Sequence, residues 1–335
     1  MKALVVCLDG MTGVLLAGPA VRAVAAGADH VTLMCGPRGE SAAALLPGAD
    51  DVLVWDAPWE GVRPPTVDEA DIDGLVRRLR DAAYDVALVL PTSPRSPLPI
   101  ALLLRMAHVR RIAAEGVAHP GTLVDVSHPR LPGRHDVEAG LDLAAALGFG
   151  LRTGDDGRPR VLPAPDPTGL TGNGPYVVLH PGAGAPARRW GAERAAEAVV
   201  LLADAGHRVV VTGGPDETAL CHQVSGDTAV DLGGHTDLRT LAGVLRAADV
   251  VIAGNTGPAH LAAATGTPVV CPYSPVVPAA HRGPYGVPTV LLGDGGSPCA
   301  DTRAHHCPVP GHPCLEEVTA QDVVRAVQKL LKRGA

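Results

Sequence analysis

The chain has 335 residues, 46% of them hydrophobic and 19% charged, enough for two soluble domains of ordinary size, each with its own core. A formal charge of −7 gives no broad attraction to nucleic acid or to an anionic membrane, and 2% aromatic residues leave few platforms for stacking bases. Apolar stretches such as Ile100–Leu104 fall far short of the ~20 residues that span a bilayer, so no integral membrane segment is expected.

In chain order, Met1-Lys2 leads into a predicted strand, Ala3–Leu8, without the residue order of a cleavable signal, and a cytoplasmic location is expected. The loop Asp9-Gly10-Met11-Thr12-Gly13 follows that strand and precedes a helix containing Pro19. Further strands are predicted at Val31–Cys35, Val52–Trp55, Val86–Leu90 and Thr122–Val126. Thr92, Ser93, Arg95 and Ser96 follow Val86–Leu90 at its carboxyl end, where they either line an acceptor site or form a Ser/Pro turn. The basic run Arg105–Arg111 reads as a solvated helix face, with contact to an acidic surface or an acceptor phosphate as the alternative.

The Pro/Gly/Thr/Asn-rich stretch Ala164–Pro175 breaks both periodicities and reads as a linker, giving domains 1–166 and 167–335, the last helix able to pack back on the first domain. Strands follow at Tyr176–His180, Arg208–Thr212, Ala229–Leu232, Val250–Ala253, Val269–Tyr273 and Thr289–Leu292. Helices are predicted at Ala192–Ala205, Leu238–Ala247 and Gln321–Leu331. Short apolar runs alternating with amphipathic ones predict parallel sheets covered by helices, an α/β class.

Two strand–loop–helix junctions stand out. His180-Pro181-Gly182-Ala183-Gly184 runs on to Arg188-Arg189-Trp190, and Asn255-Thr256-Gly257-Pro258-Ala259-His260 opens a short helix closed by Gly266. Outward-pointing amides and the helix dipole favour an anion at such a place, and Arg188 and Arg189 add guanidinium forks, so the pair predicts a diphosphate ligand. Taken singly, either loop is what any parallel sheet needs. Gly213-Gly214-Pro215-Asp216-Glu217 follows the next strand, and Asp237 before Leu238 has the position of an N-cap.

Seven cysteines are present. Cys7, Cys35, Cys221 and Cys271 sit in or beside apolar runs as small hydrophobes. Cys299, Cys307 and Cys314 cluster with His305, His306 and His312 and raise zinc, but no spacing matches a short Cys-x₂-Cys pair, so no metal is expected.

His180–Trp190, Val209–Glu217 and Val250–Pro272 resemble glycosyltransferase family 9, the heptosyltransferase-like enzymes, and the resemblance extends along nearly the whole chain. It implies a GT-B fold, two facing Rossmann-like domains with a cleft between them. It also implies an inverting, metal-independent transferase, with no cofactor beyond a nucleoside-diphosphate sugar as co-substrate and a glycan or small-molecule acceptor as partner. By resemblance, His180, Gly182, Gly184, Arg188, Arg189, Gly213, Glu217, Leu238, Asn255, Thr256, Gly257 and His260 hold the donor, with Glu217 toward the ribose and Arg188 on the leaving group. Asn255 stands where the family often has aspartate.

The family's proposed general base is an aspartate at the position of Gly13, and glycine has no carboxylate to give. A positioned base typically contributes about 10²–10⁴-fold. Asp9 in the same loop, or another side chain such as His119 or His128, takes its place; or the protein binds sugar nucleotides without efficient transfer. A nicotinamide or flavin enzyme is the weakest reading, because Gly10 and Gly13 do not form a Gly-x-Gly-x-x-Gly fingerprint.

Overall fold

Each half of the chain builds one six-stranded parallel sheet. The computed structural model describes residues 1–61, 63–90 and 96–334, in two units, Met1–Leu162 and Pro163–Ala335. The first unit contains β1 (Lys2–Cys7), β2 (His30–Cys35), β3 (Asp51–Val54), β4 (Val86–Val89), β5 (Arg111–Glu115) and β6 (Val126–His128). Their order is β3-β2-β1-β4-β5-β6, the doubly wound Rossmann order. β1 and β2 are near-continuous apolar runs buried on both faces, as strands covered by helices on either side must be. With aromatics scarce, aliphatic side chains such as Leu4, Met34, Leu79, Leu88 and Leu104 fill the core.

The second unit contains β7 (Val177–His180), β8 (Val209–Gly213), β9 (Val230–Gly233), β10 (Val250–Ala253), β11 (Val269–Pro272) and β12 (Thr289–Leu292). Their order, β12-β11-β10-β7-β8-β9, repeats the winding of the first sheet read from its other edge. β7 pairs with both β8 and β10, and Ala253 lies opposite His180 at the carboxyl ends. The last helix, Ala320–Gly334, places Val323, Ala326, Val327 and Leu330 in the second unit's own core.

One stretch departs from the sequence expectation. Residues 120–125 form a turn rather than the predicted strand Thr122–Val126, closed by the Leu123 amide on the Pro120 carbonyl. β5 begins at Arg111, the last residue of the basic run, and β6 begins at Val126, the last residue of the predicted strand. The Ile-Ala-Ala centre of β5 is fully buried between β4 and β6, where small side chains suffice. The helix Leu98–Met106 is followed by its C-cap Ala107 and by His108, whose φ is 64°. Arg105 is not a solvated charge: its guanidinium donates to the carbonyls of Val109, Arg110, Thr122 and Leu123 and to the Asp125 carboxylate at 2.6 Å. Asp125 in turn accepts from the Ile112 amide. The arginine is the clamp of this crossover.

Candidate active site

In a doubly wound sheet, ligands bind beyond the carboxyl ends of the strands where the order reverses. In the second unit that place lies between β7 and β10, and both motif loops leave from it. After β7 the chain makes a short 3₁₀ turn, Pro186–Arg188. After β10 it enters the helix Gly257–Thr265, with Thr256 extended at the N-cap and Gly266 left-handed at φ 86°. The Thr256 hydroxyl makes no capping bond; the backbone fixes the helix head instead, with the Thr256 amide on Gly254 (2.7 Å) and the Ala259 amide on Thr256 (3.2 Å). The two loops are in close contact: a Cβ on Gly254 would come within 2.7 Å of the Arg188 carbonyl oxygen. Only glycine lets them meet. A small cavity between them is lined by His180, Gly182, Arg188, Trp190, Ala253 and Gly254.

His180 ends β7 and is 6% exposed. Its Nδ1 lies 3.1 Å from the Thr212 hydroxyl and its Nε2 3.5 Å from Glu217 Oε2. Glu217 also accepts from the Gly214 amide at 2.9 Å, and Gly182 backs directly onto its carboxylate. The bond to His180 above all, aided by the Gly214 amide and the charge of Arg189 and opposed by desolvation, holds the Glu217 carboxyl at about 2. The side chain thus joins the first loop to β8. Gly213, the last residue of β8, packs against the same glutamate and Cys221.

Asn255 is 5% exposed and bonds in both directions: its amide donates to the Ser274 carbonyl (3.1 Å) and its oxygen accepts from the Ser274 amide (3.4 Å). An aspartate cannot donate, so the residue that departs from the family pattern fits this site for a structural reason. Gly257 is buried, and His260 is 2% exposed inside the helix, a packed residue rather than an open contact. Arg188 is half-buried, while Arg189 and Gly184 are exposed. Leu238 opens its helix half-buried, and Asp237 caps it through the Thr240 amide at 2.7 Å.

The second unit therefore gathers His180, Gly182, Gly213, Glu217, Arg188, Asn255, Thr256 and Gly257 around one end of its sheet. Thr212 bonds to His180 and Ser274 to Asn255, and neither carried a sequence signal, because an isolated hydroxyl at a strand end resembles any other.

In the first unit, Asp9 and Gly13 follow β1 at the corresponding reversal, between β1 and β4. Asp9 Oδ1 accepts from the Gly10 amide at 2.8 Å. A Cβ on Gly13 would come within 2.5 Å of the Asp9 Cβ and 2.7 Å of its Oδ2, so the aspartate fills the volume that a side chain at position 13 would need. Thr92, Ser93 and Arg95 lie outside the described residues. The Ser96 hydroxyl accepts from the Leu98 amide at 3.2 Å and lines a small cavity with Leu8, Trp59, Leu90 and Ile100. His119 is exposed in the loop before Pro120, and His128 ends β6. Among the described residues, no group of three or more His, Cys, Asp or Glu is arranged to hold a metal ion.

Known proteins give three points of comparison. The E. coli ADP-heptose lipopolysaccharide heptosyltransferase II structure matches at a TM-score of 0.75 and 18% identity, over 100% of this chain and 99% of that one. E. coli heptosyltransferase WaaC with ADP matches at 0.70 and 19%, over 99% of each chain. The dodecameric iron-containing glycosyltransferase TibC from enterotoxigenic E. coli matches at 0.51 and 18%, over 100% of this chain and 77% of that one. No curated protein sequence matches the chain. These identities speak for the fold. The sequence description of glycosyltransferase family 9 (heptosyltransferase) matches residues 72–312, well over half the chain, and nothing in the comparisons favours a non-catalytic binder. With both strand-end loops in place within that span, the chain belongs to glycosyltransferase family 9 and is a glycosyltransferase.

Proposed function

We propose that this enzyme moves a hexose or heptose from a nucleoside diphosphate to a hydroxyl of a glycan or soluble natural-product acceptor, with inversion and without a metal ion. The observation that carries the reading is the meeting of two loops where the second sheet reverses order, Arg188 in one and the helix head at Gly257 in the other. Guanidinium forks and a helix-head amide suit phosphate oxygens and stabilise the charge that grows on the departing diphosphate. Preorganised donors of this kind supply what a divalent cation would otherwise supply, so the reading includes no metal or cofactor. An adenine nucleotide is favoured, since one structural relative is described as acting on ADP-heptose and another as holding ADP.

Asp9 serves as general base, because its carboxylate occupies the volume of a side chain at Gly13. It takes the proton of the acceptor hydroxyl as that oxygen bonds to the anomeric carbon. The bond from that carbon to the diphosphate oxygen breaks, its electron pair leaving with the nucleoside diphosphate. Ser96, with Thr92, Ser93 and Arg95, contributes to acceptor binding. Sugar nucleotides are made in the cytoplasm, where we place the reaction; no helix among the described residues is long and apolar enough to cross a membrane.

Titration calorimetry with ADP, GDP and UDP tests the donor half, with selective binding of ADP expected; binding of none at millimolar concentration would sink it. Transfer assayed in EDTA should persist, and complete loss reversed by an added metal overturns the metal-independent part. Proton NMR of the product reads inversion from the anomeric coupling.

A further inference from the structure

The Cys/His-rich segment before the last helix has no part in the chemistry above, yet it reaches the centre of the donor loop. Ala187, completely buried between Pro186 and Arg188, has both backbone groups taken by this one segment. Its amide donates to the His305 carbonyl at 3.0 Å, and its carbonyl accepts from His312 Nε2 at 3.1 Å. A carbonyl only accepts, so His312 must carry a proton on Nε2.

The backbone of His312 is costly for its residue type. Its φ is 48°, in the left-handed region that glycine adopts freely and other residues enter with strain. It is held there by its amide on the Val309 carbonyl and by its own carbonyl, which receives the Leu315 and Glu316 amides. At the ends of the segment Cys299 and Cys314 are buried, and in its middle the Cys307 thiol donates to the Val309 carbonyl at 3.4 Å. On its other side, the Arg188 carbonyl meets Gly254. The turn bearing Arg188 is thus gripped from two directions.

We propose that residues 305–312 form a strap that sets the conformation of the Pro186–Arg188 turn, with His312 as the positioning residue for Arg188. The site it serves is the diphosphate site proposed above, and the effect on affinity rests on that reading. A histidine is kept at a position suited to glycine because its ring reaches Ala187.

The test separates the ring from the backbone. His312→Gly removes the imidazole and eases the left-handed geometry. His312→Asn suits that geometry as well, but its amide stops short of Ala187. His312→Gln carries an amide nitrogen at about the reach of Nε2. Hydrogen–deuterium exchange of residues 183–191, measured without ligand, should be roughly tenfold faster in the Gly and Asn variants, at an unchanged or higher Tm for Gly. The Gln variant should return it to within about threefold of wild type. ADP affinity should fall about fivefold in the Gly and Asn variants, the equivalent of one lost hydrogen bond. Equal protection of residues 183–191 in wild type and both variants overturns the strap, whether or not ADP binds. Refusal of ADP by the wild type would instead remove the donor reading and leave the exchange comparison to decide the strap.

Discussion

Asp9 and a side chain at position 13 compete for one volume, which makes the first loop testable residue by residue. Asp9→Asn keeps the size and loses the base, so kcat should fall about 10²–10⁴-fold while ADP affinity stays within twofold. Gly13→Asp with Asp9 in place should lower activity, because two carboxylates are forced together and the loop must shift; a gain in turnover would show that Asp9 is a turn residue only. Asn255 gives a second test. Asn255→Asp turns a donor toward the Ser274 carbonyl into an acceptor, and the buried mismatch should cost about 1–3 kcal/mol in urea denaturation. Unchanged stability would mean that the amide's donated bond is immaterial. Sequence could flag Asn255 as a departure but not explain it, because its partner Ser274 lies beyond an entire helix and strand. His312 was visible only as a possible metal ligand; its bond to Ala187 spans a separation no local pattern encodes.

At the scale of elements, the parts that were legible are those whose signals are local. β10 and β12 fall on their predicted residues, and the helix Gly257–Thr265 keeps its proline near the start and its left-handed glycine at the end. β5 was hidden because two alanines between arginine and glutamate carry no strand signature; burial between two other strands decides its conformation. The contact between the donor loops is likewise nonlocal. Gly254→Ala pushes a methyl against the Arg188 carbonyl, which should cost about 1–3 kcal/mol of stability and weaken ADP binding at least fivefold. Calorimetry and a melting curve on the same sample check both, and wild-type affinity in the variant would mean that the loops need not touch.

For the molecule as a whole, acid stability should reflect one half-buried carboxylate in each unit. In the first, Arg22 binds Asp155 through two bonds, 2.7 and 2.8 Å, and mainly through them holds its carboxyl at about 2. In the second, Glu217 is held at about 2 chiefly by His180. A carboxylate whose folded pKa lies below its unfolded value stabilises fully above the ordinary carboxylate range, and that contribution is lost as pH falls from about 4.5 toward 2. Glu115, raised by burial and opposed by Arg130, acts in the opposite sense, favouring the fold slightly as it protonates. Tm should therefore fall between pH 4.5 and 2.5, and Glu217→Gln should flatten the fall for the second unit alone. An unchanged slope in that variant would show that the His180 contact contributes nothing to folding. The paired architecture was readable because each half alternates strand and helix in the same way; the strand order was not, since it depends on which edges meet.

The buried thiols provide a natural clock for how the chain comes apart. Cys7 and Cys35 lie within the first unit, while Cys221, Cys271, Cys299 and Cys314 lie within the second, all buried. Burial pushes the Cys35 and Cys314 thiols up to about 11 and Cys221 to about 12, so none of these three is a ready nucleophile while its unit stays closed. Pulses of a maleimide during urea unfolding, read by mass spectrometry, would time the opening of each unit in a single unlabelled protein. Simultaneous labelling at Cys35 and Cys221 would mean that the two sheets are lost in one cooperative step, and staggered labelling that each half has its own barrier.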